Sequence, residues 1–114
     1  IYVEYISGQQ QPITVLTHGE LQVFPTTHKA YMNGIDARLQ PKEFDILYYL
    51  MENKGITLSC IQIFRRVWGD EYADSSKTVL WPHISRLRRK LRIAPEPTEY
   101  IITVRNRGYT FAPD

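Results

Sequence analysis

Six basic residues lie between positions 77 and 92, and no acidic residue lies between Lys77 and Ala94 to neutralise them. At about 100° per residue, a helix over this run places its aliphatic residues on one stripe, namely Leu80, Ile84, Leu87 and Leu91. The opposite arc holds His83, Ser85, Arg86, Arg89 and Lys90, with Arg88 and Arg92 at its flanks. An apolar seam with an uncompensated cationic face is typical of a helix that enters a groove lined by phosphates, where arginine also forks onto a guanine edge.

The alternative interpretation of this run is an ordinary solvated helix face. Such faces usually interleave Glu with Lys or Arg at a spacing of four residues. The run from Lys77 to Arg92 contains no acidic partner. The pattern therefore favours a DNA-recognition helix.

The charge is distributed unevenly along the chain of 114 residues, although its net charge is only +2. Residues 1–76 carry six Lys/Arg against nine Asp/Glu, and residues 77–114 carry eight against three. A hydrophobic fraction of 43% predicts one globular domain. No apolar run approaches the roughly 20 residues of a membrane span. Because the chain starts at Ile1 without Met, we expect a fragment of a longer protein.

Few residues suit catalysis or metal binding. The single cysteine, Cys60, excludes an internal disulfide and favours a reducing compartment, and we expect it to be a buried structural thiol. Three scattered histidines with one cysteine make no metal set, and His18 and His28 are expected to be ordinary turn and strand residues. Pairs such as Asp36 with Asp45, or Asp70 with Asp74, lack a nucleophile or a gathered pocket. We therefore expect neither an enzyme nor a cofactor.

The elements that position the basic run follow from local patterns. Residues 1–39 contain β-rich segments separated by turns, with Asn33-Gly34 as a strong hairpin signal. Pro41 opens a first helix, and a Ser59-x-x-Gln62 capping box opens a second, which ends near Trp68-Gly69. After the basic helix, residues 100–104 and 109–111 predict a hairpin with a basic tip. This order describes a winged helix-turn-helix, an α+β fold with an N-terminal antiparallel sheet, three helices and a C-terminal hairpin wing.

Several separate motifs resemble the DNA-binding domain of OmpR/PhoB-type response regulators. They are residues 39–47 (LQPKEFDIL), 67–69 (VWG), 83–91 (HISRLRRKL) and 102–111 (ITVRNRGYTF). The resemblance covers residues from about 16 to 112. It implies a four-stranded N-terminal sheet and a bacterial, cytoplasmic transcription regulator of a two-component system, whose receiver domain lies outside this chain.

The resemblance also implies roles for single residues. Base contacts fall on Arg86 and on Ser85, which stands where many relatives have Arg. Contacts to the DNA backbone fall on Trp68, Lys77, Thr78, His83, Arg88, Arg89, Thr103 and Tyr109. The wing contacts of the minor groove fall on Arg105 and Arg107. Contact with RNA polymerase is expected from the loop that holds Asp70, Glu71, Tyr72 and Asp74, and two copies are expected on DNA.

Two departures from the family pattern stand out. Five residues, Val79 to His83, occupy the space of the usual four, and one of them is Pro82. Because proline inside a helix removes a hydrogen bond and crowds the preceding turn, we expect a helix that is regular only from about Pro82, after an irregular lead-in over Lys77 to Trp81. We expect Trp68 and Trp81 to be core or interface aromatics. Asn106 replaces a usual Gly and tolerates the left-handed conformation.

The predicted function is sequence-specific binding of double-stranded DNA that regulates transcription. The alternatives are a winged helix used mainly for protein docking and the cytoplasmic domain of a ToxR-like membrane regulator. The predicted limits are 1–12 for a linker remainder or extra strand and 13–114 for the domain, with the sheet in 13–40, the helices in 41–92 and the wing in 99–112.

Overall fold

A computed structural model describes residues 2–5, 12–69, 76–91 and 100–113 of the chain. Within them, an antiparallel sheet is followed by three helices and a hairpin, as the sequence predicts. The elements are β1 (Tyr2–Tyr5), β2 (Pro12–His18), β3 (Leu21–Phe24), β4 (Lys29–Met32), β5 (Ile35–Asp36), α1 (Pro41–Glu52), β6 (Thr57–Leu58), α2 (Cys60–Trp68), α3 (Ser76–Lys90), β7 (Ile101–Val104) and β8 (Gly108–Phe111). No helix in the described ranges has the length and apolar character needed to cross a membrane.

The N-terminal sheet is a meander in which β1 to β5 pair in chain order. The resemblance implies four strands, and β1 adds a fifth at the edge, where Tyr2 lies opposite Val15. The turn at Asn33-Gly34 has positive φ at both residues, +54° and +76°, as the hairpin signal predicts. Alternation along β3 buries Leu21 and Val23, which places an apolar face of the sheet in the common core.

The first two helices begin at the predicted residues. Pro41 is the first residue of α1, and the Gln40 N–H donates to Glu43 Oε1 at 2.9 Å. The predicted capping box of α2 is present, because the Gln62 N–H donates to Ser59 Oγ at 3.1 Å and the Ser59 N–H donates to Gln62 Oε1 at 2.8 Å. These bonds satisfy amide groups that the first helical turn leaves open.

Helix α3 is continuous from Ser76 to Lys90, and Pro82 lies inside it. The predicted irregular lead-in before Pro82 is therefore wrong. Pro82 cannot donate to the Thr78 carbonyl, and the loss of that bond costs stability. Packing offsets this cost, because Leu80 before the proline and Ile84 after it are both fully buried. Leu80 thus extends the apolar stripe, as predicted.

A second sheet joins the hairpin to the helices. The predicted strands β7 and β8 form the hairpin, and the short strand β6, which the sequence analysis missed, pairs with β8 to give the order β6-β8-β7. Gly108 makes this pairing possible: its φ is +142°, and a Cβ there would lie 1.9 Å from the Leu58 carbonyl oxygen. The hairpin is therefore held against the start of α2.

One apolar core unites the three helices and both sheets. Phe44, Ile46, Leu47 and Leu50 give α1 its buried side, and Phe111 brings the hairpin into the same cluster. The stripe of α3 packs here as well, so the recognition helix is fixed along its length by burial of aliphatic side chains.

Candidate nucleic-acid interface

The outward arc of α3 carries short polar and basic side chains. Lys77, Thr78, Ser85 and Arg89 are exposed, whereas Ile84 and Leu87 on the opposite side are fully buried. The predicted division of the helix into a core stripe and a polar arc is therefore confirmed. The side chain of Ser76, the first residue of α3, is buried.

Trp81 is exposed and does not belong to the core, so of the two expected roles, core or interface aromatic, the interface role remains. Its side chain is 61% exposed, the largest value among the large apolar residues that the structure describes. The continuous helix explains this exposure: with α3 starting at Ser76, Trp81 lies about 100° from Leu80 and leaves the apolar stripe.

The cationic arc is compensated on the side that faces α1, which corrects the expectation of an uncompensated face. Glu43 is completely buried, and Lys90 Nζ lies 2.6 Å from its Oε1 while Arg86 Nε lies 3.2 Å from its Oε2. Lys90 also donates to the Arg38 carbonyl oxygen at 3.0 Å. The acid comes from a helix some forty residues earlier, so the local sequence around α3 does not contain it.

Opposing influences set the pKa of Glu43. Burial by itself raises the pKa, but the hydrogen bonds from Lys90 and from the Gln40 N–H stabilise the charged form more strongly. The pKa therefore lies below its ordinary value of 4.5. Glu43 is a carboxylate at neutral pH, and it holds both cations of α3.

Arg86 keeps hydrogen-bonding capacity despite this ion pair. Its side chain is 42% exposed, and within the described part of the chain the bond from Nε to Glu43 is the one that its guanidinium makes. The two Nη groups are thus left for a ligand. A guanidinium anchored through Nε presents these groups in a fixed direction, which suits a bidentate contact.

Arg88 connects α3 to the hairpin. Its Nε and Nη2 donate to the Ile101 carbonyl oxygen at 3.1 and 2.9 Å, and Nη2 also donates to Thr103 Oγ1 at 2.6 Å. The guanidinium lies over the Tyr109 ring, 5.6 Å from its centroid. Tyr109 is itself buried, and burial raises the pKa of its hydroxyl above the usual 10.0. Two predicted backbone contacts, Arg88 and Thr103, are therefore bonded to each other.

Trp68 and His83 form a second contact between helices. The Trp68 ring stacks on Phe64 at 5.1 Å between centroids and meets the His83 ring edge-on at 4.9 Å. Lys42 Nζ lies 5.8 Å from the Trp68 ring centroid. His83 Nδ1 lies 2.9 Å from the Val79 carbonyl oxygen. Because a carbonyl only accepts, Nδ1 carries the proton, and Nε2 is the nitrogen that remains for another partner.

The hairpin tip presents two further cations. Arg105, Asn106 and Arg107 form the turn between β7 and β8, and all three are exposed. Asn106 adopts a φ of +63°, so it takes the left-handed conformation that the sequence analysis allowed for it.

A groove of about 890 Å³ separates the hairpin from the first turns of α2 and α3. Cations stand on both of its sides, Lys77 on α3 and Arg107 on the hairpin. Its other lining residues are Ser59, Cys60, Ile61, Ser76, Thr78, Trp81, Thr103, Val104, Asn106, Gly108 and Tyr109. Cys60 is half-buried at this groove rather than fully buried as predicted, because it is the first residue of α2 and begins the helix at the groove edge.

The remaining candidates fall into two groups. His18 packs edge-on against Tyr100 and Phe111, and His28 stacks on Phe44, so both have structural contacts. Arg92 and the loop residues Asp70, Glu71, Tyr72 and Asp74 lie outside the described residues.

Sequence reasoning missed the role of Glu43. No local pattern points to Arg86 and Lys90 as its partners, because they follow it by 43 and 47 residues. Its position offered one signal: an acid in the first turn of an amphipathic helix whose neighbour, Phe44, is a core residue. A carboxylate that is buried in this way needs cationic partners.

Comparisons with known proteins agree with this geometry. Residues 34–111 match the family model described as "Transcriptional regulatory protein, C terminal". Regulatory protein VanR of Enterococcus faecium is 36% identical over 108 residues, covering 95% of this chain and 47% of that protein. Sensory transduction protein RegX3 of Mycobacterium leprae (strain TN) is 41% identical over 95 residues, covering 83% and 48%. The chain therefore spans about half the length of these relatives.

A solved structure extends the comparison to a DNA complex. The Klebsiella pneumoniae RstA DNA-binding domain in complex with the RstA box has a TM-score of 0.75 and 30% sequence identity, covering 88% of this chain and 98% of that chain.

Proposed function

Since the chain belongs to the "Transcriptional regulatory protein, C terminal" family, as an OmpR/PhoB-type winged-helix domain that binds specific DNA to regulate transcription, we propose how its side chains divide that task. Helix α3 enters the major groove, and the tip of the β7–β8 hairpin reaches the adjacent minor groove or its phosphates. The observation that carries this proposal is the groove between them, where Lys77 and Arg107 stand on opposite sides.

Base readout is assigned to Arg86, with Ser85 beside it. Glu43 holds Arg86 through Nε and leaves both Nη groups, which is the arrangement that a bidentate contact with guanine O6 and N7 requires. Ser85 is exposed, and its hydroxyl both donates and accepts, so it suits a weaker or water-mediated contact.

Backbone anchoring is assigned first to the exposed groups Lys77, Thr78 and Arg89. Arg88 and Thr103 fix the hairpin through their mutual hydrogen bond, so they position the backbone contacts of the wing rather than supply a phosphate-binding cation. His83 has only Nε2 left, so its contact with a phosphate needs the protonated imidazolium.

Trp68 and Tyr109 support these groups through ring contacts with His83 and Arg88. Arg105 and Arg107 are assigned to the wing contact.

The full-length protein is proposed to be a two-component response regulator. This proposal is supported by the relatives, which are about twice as long as this chain and are described as regulatory and sensory transduction proteins. A receiver domain would precede these residues, and two copies would bind neighbouring half-sites in the cytoplasm of a bacterium. The loop with Asp70, Glu71, Tyr72 and Asp74 is the proposed contact for RNA polymerase.

The test separates base readout from anchoring. Arg86→Ala is expected to relax sequence preference at one base pair and to cost about 1–3 kcal/mol on the preferred site, whereas Arg89→Ala weakens all sequences alike and reduces the salt slope by about one. Binding is measured by fluorescence anisotropy on a selected duplex and a scrambled duplex at several salt concentrations. Equal losses on both duplexes for Arg86→Ala would remove its assigned role. A winged helix used for protein docking would show no salt-dependent DNA affinity.

A further inference from the structure

Trp81 is not among the residues assigned to DNA contacts, although its side chain is exposed. Its indole is 61% exposed, although tryptophan is the side chain that loses most by staying in water. A second exposed apolar residue of the same groove, Ile61, is 44% exposed at the start of α2. An apolar pair in a groove with cations on both sides is suited to a ligand that is both apolar and anionic.

The side of α3 on which Trp81 lies restricts which ligands it can contact. Arg88 follows Trp81 by seven residues, close to two helical turns, and so lies on the same side of α3. Arg88 bonds to Ile101 and Thr103 of β7, which shows that this side faces the hairpin. Trp81 therefore faces the gap between α3 and the hairpin, whereas Arg89 lies about 80° further round the helix, on the outward arc.

We propose that this groove holds the sugar–phosphate backbone of one DNA strand, and that Trp81 packs on a deoxyribose there. The proposal rests on the proposed function, because a strand that separates the major groove from the minor groove must pass between a helix in one and a hairpin in the other. The backbone alternates phosphates with apolar sugar faces. Lys77 and Arg107 match the phosphates, and Trp81 with Ile61 matches a sugar.

This assignment has a distinctive thermodynamic signature. A sugar contact does not depend on base identity, so its loss weakens every sequence equally. An indole releases no counterion on binding, so the slope of log K against log salt concentration stays unchanged. Loss of a cation such as Lys77 also weakens every sequence, but it reduces the magnitude of that slope by about one.

The experiment measures duplex binding of the folded chain by fluorescence anisotropy. The probes are one selected duplex and one scrambled duplex, each at four salt concentrations. Trp81→Ala is expected to weaken both by about tenfold, from the apolar area that it leaves uncovered, with an unchanged slope. Trp81→Phe should lose less. Lys77→Ala is the comparison that removes a charge. Ile56→Ala removes a similarly exposed apolar side chain (56%) outside the groove lining and should bind like the wild type.

Each other outcome overturns the proposal. A loss confined to the selected duplex would make Trp81 a base-reading residue. Unchanged affinity would mean that DNA does not cover the indole and would leave it for a protein partner. Trp81→Gln also removes the indole and should weaken binding to both duplexes as Trp81→Ala does. Wild-type affinity in Trp81→Gln, with a loss in Trp81→Ala alone that accompanies altered thermal unfolding, would assign that loss to misfolding and overturn the proposal. A wild-type chain without any sequence preference would instead contradict the proposed function.

Discussion

The basic residues of α3 and of the hairpin fall into two groups, which differ in exposure and in their partners. On the flank that faces α1, Arg86 and Lys90 are paired with the completely buried carboxylate of Glu43. On the outward arc and the hairpin tip, Lys77, Arg89, Arg105 and Arg107 are exposed. The first group fixes the recognition helix on the domain, and the second is available for phosphates. Side chains with the same formal charge therefore have two different roles in α3 and the hairpin.

This difference shows that the number of basic residues overstates the positive charge that is available to DNA phosphates. Arg88 belongs with the fixed group, because its guanidinium is bonded to the Ile101 carbonyl and to Thr103. Such bonds restrict where the cations point, and a helix held in this way loses less conformational entropy when it binds.

The largest effect is expected from Glu43→Gln. The amide keeps the shape of the side chain but leaves Arg86 and Lys90 without their counterion. Breaking a buried ion pair costs about 3–5 kcal/mol, and the lower end applies here because the two cations stay 42% and 26% exposed. Urea denaturation measures this loss in the free energy of unfolding.

The matched control is Glu52→Gln. Glu52 also pairs with an arginine, Arg66, but at 3.5 Å and with side chains that are 37% and 56% exposed. Its loss should change stability by less than about 0.5 kcal/mol. If the two variants were equally stable, the flank toward α1 would not be held by Glu43, and the contrast between the flanks would disappear.

A smaller effect is expected from Arg88→Ala. The variant loses the hydrogen bonds to Ile101 and Thr103, which are charge-assisted because the guanidinium donates them, and should lose about 1–3 kcal/mol. Hydrogen exchange should show faster opening of amides in β7 and β8 than in α1. Unchanged protection of the hairpin amides would show that Gly108 and the β6 pairing alone hold the wing.

The smallest expected effect is a difference in pH dependence. The pKa of Glu43 is lowered, so its contribution to stability is present above about pH 4.5 and is lost as pH falls through the lowered pKa. The stability gap between the wild type and Glu43→Gln should therefore narrow below about pH 4.5. The Arg38 N–H hydrogen bond lowers the pKa of Asp36. Because Asp36 is present in both proteins, its contribution to the stability difference between them cancels. A constant gap down to pH 2 would contradict the ion-pair assignment.

Local patterns predicted the parts of the fold that local physics decides. The capping box of Ser59 and Gln62, Pro41 at the start of α1 and Asn33-Gly34 in a hairpin turn each depend on residues a few positions apart. The apolar stripe of α3 also follows from spacing alone. These features gave the order of elements and the helix that faces DNA.

The rest depends on partners distant in sequence. Strand β6 has two residues, too few for a pattern, and forms because β8 lies beside it. The continuity of α3 through Pro82 comes from the burial of Leu80 and Ile84, which outweighs the local cost of proline. The pairing of Glu43 with Lys90 spans 47 residues. For this reason the sequence predicts the position of the cationic arc correctly, but it does not predict the carboxylate of Glu43 that neutralises part of its charge.

The salt dependence of binding to a selected half-site tests the central claim most directly. If the four exposed cations make the phosphate contacts, the slope of log K against log salt concentration should be about −3.6. A slope of about −6 would mean that all seven described cations of α3 and the hairpin engage phosphates, and the division between fixed and available cations would be wrong. A flat slope would contradict DNA binding by this face altogether.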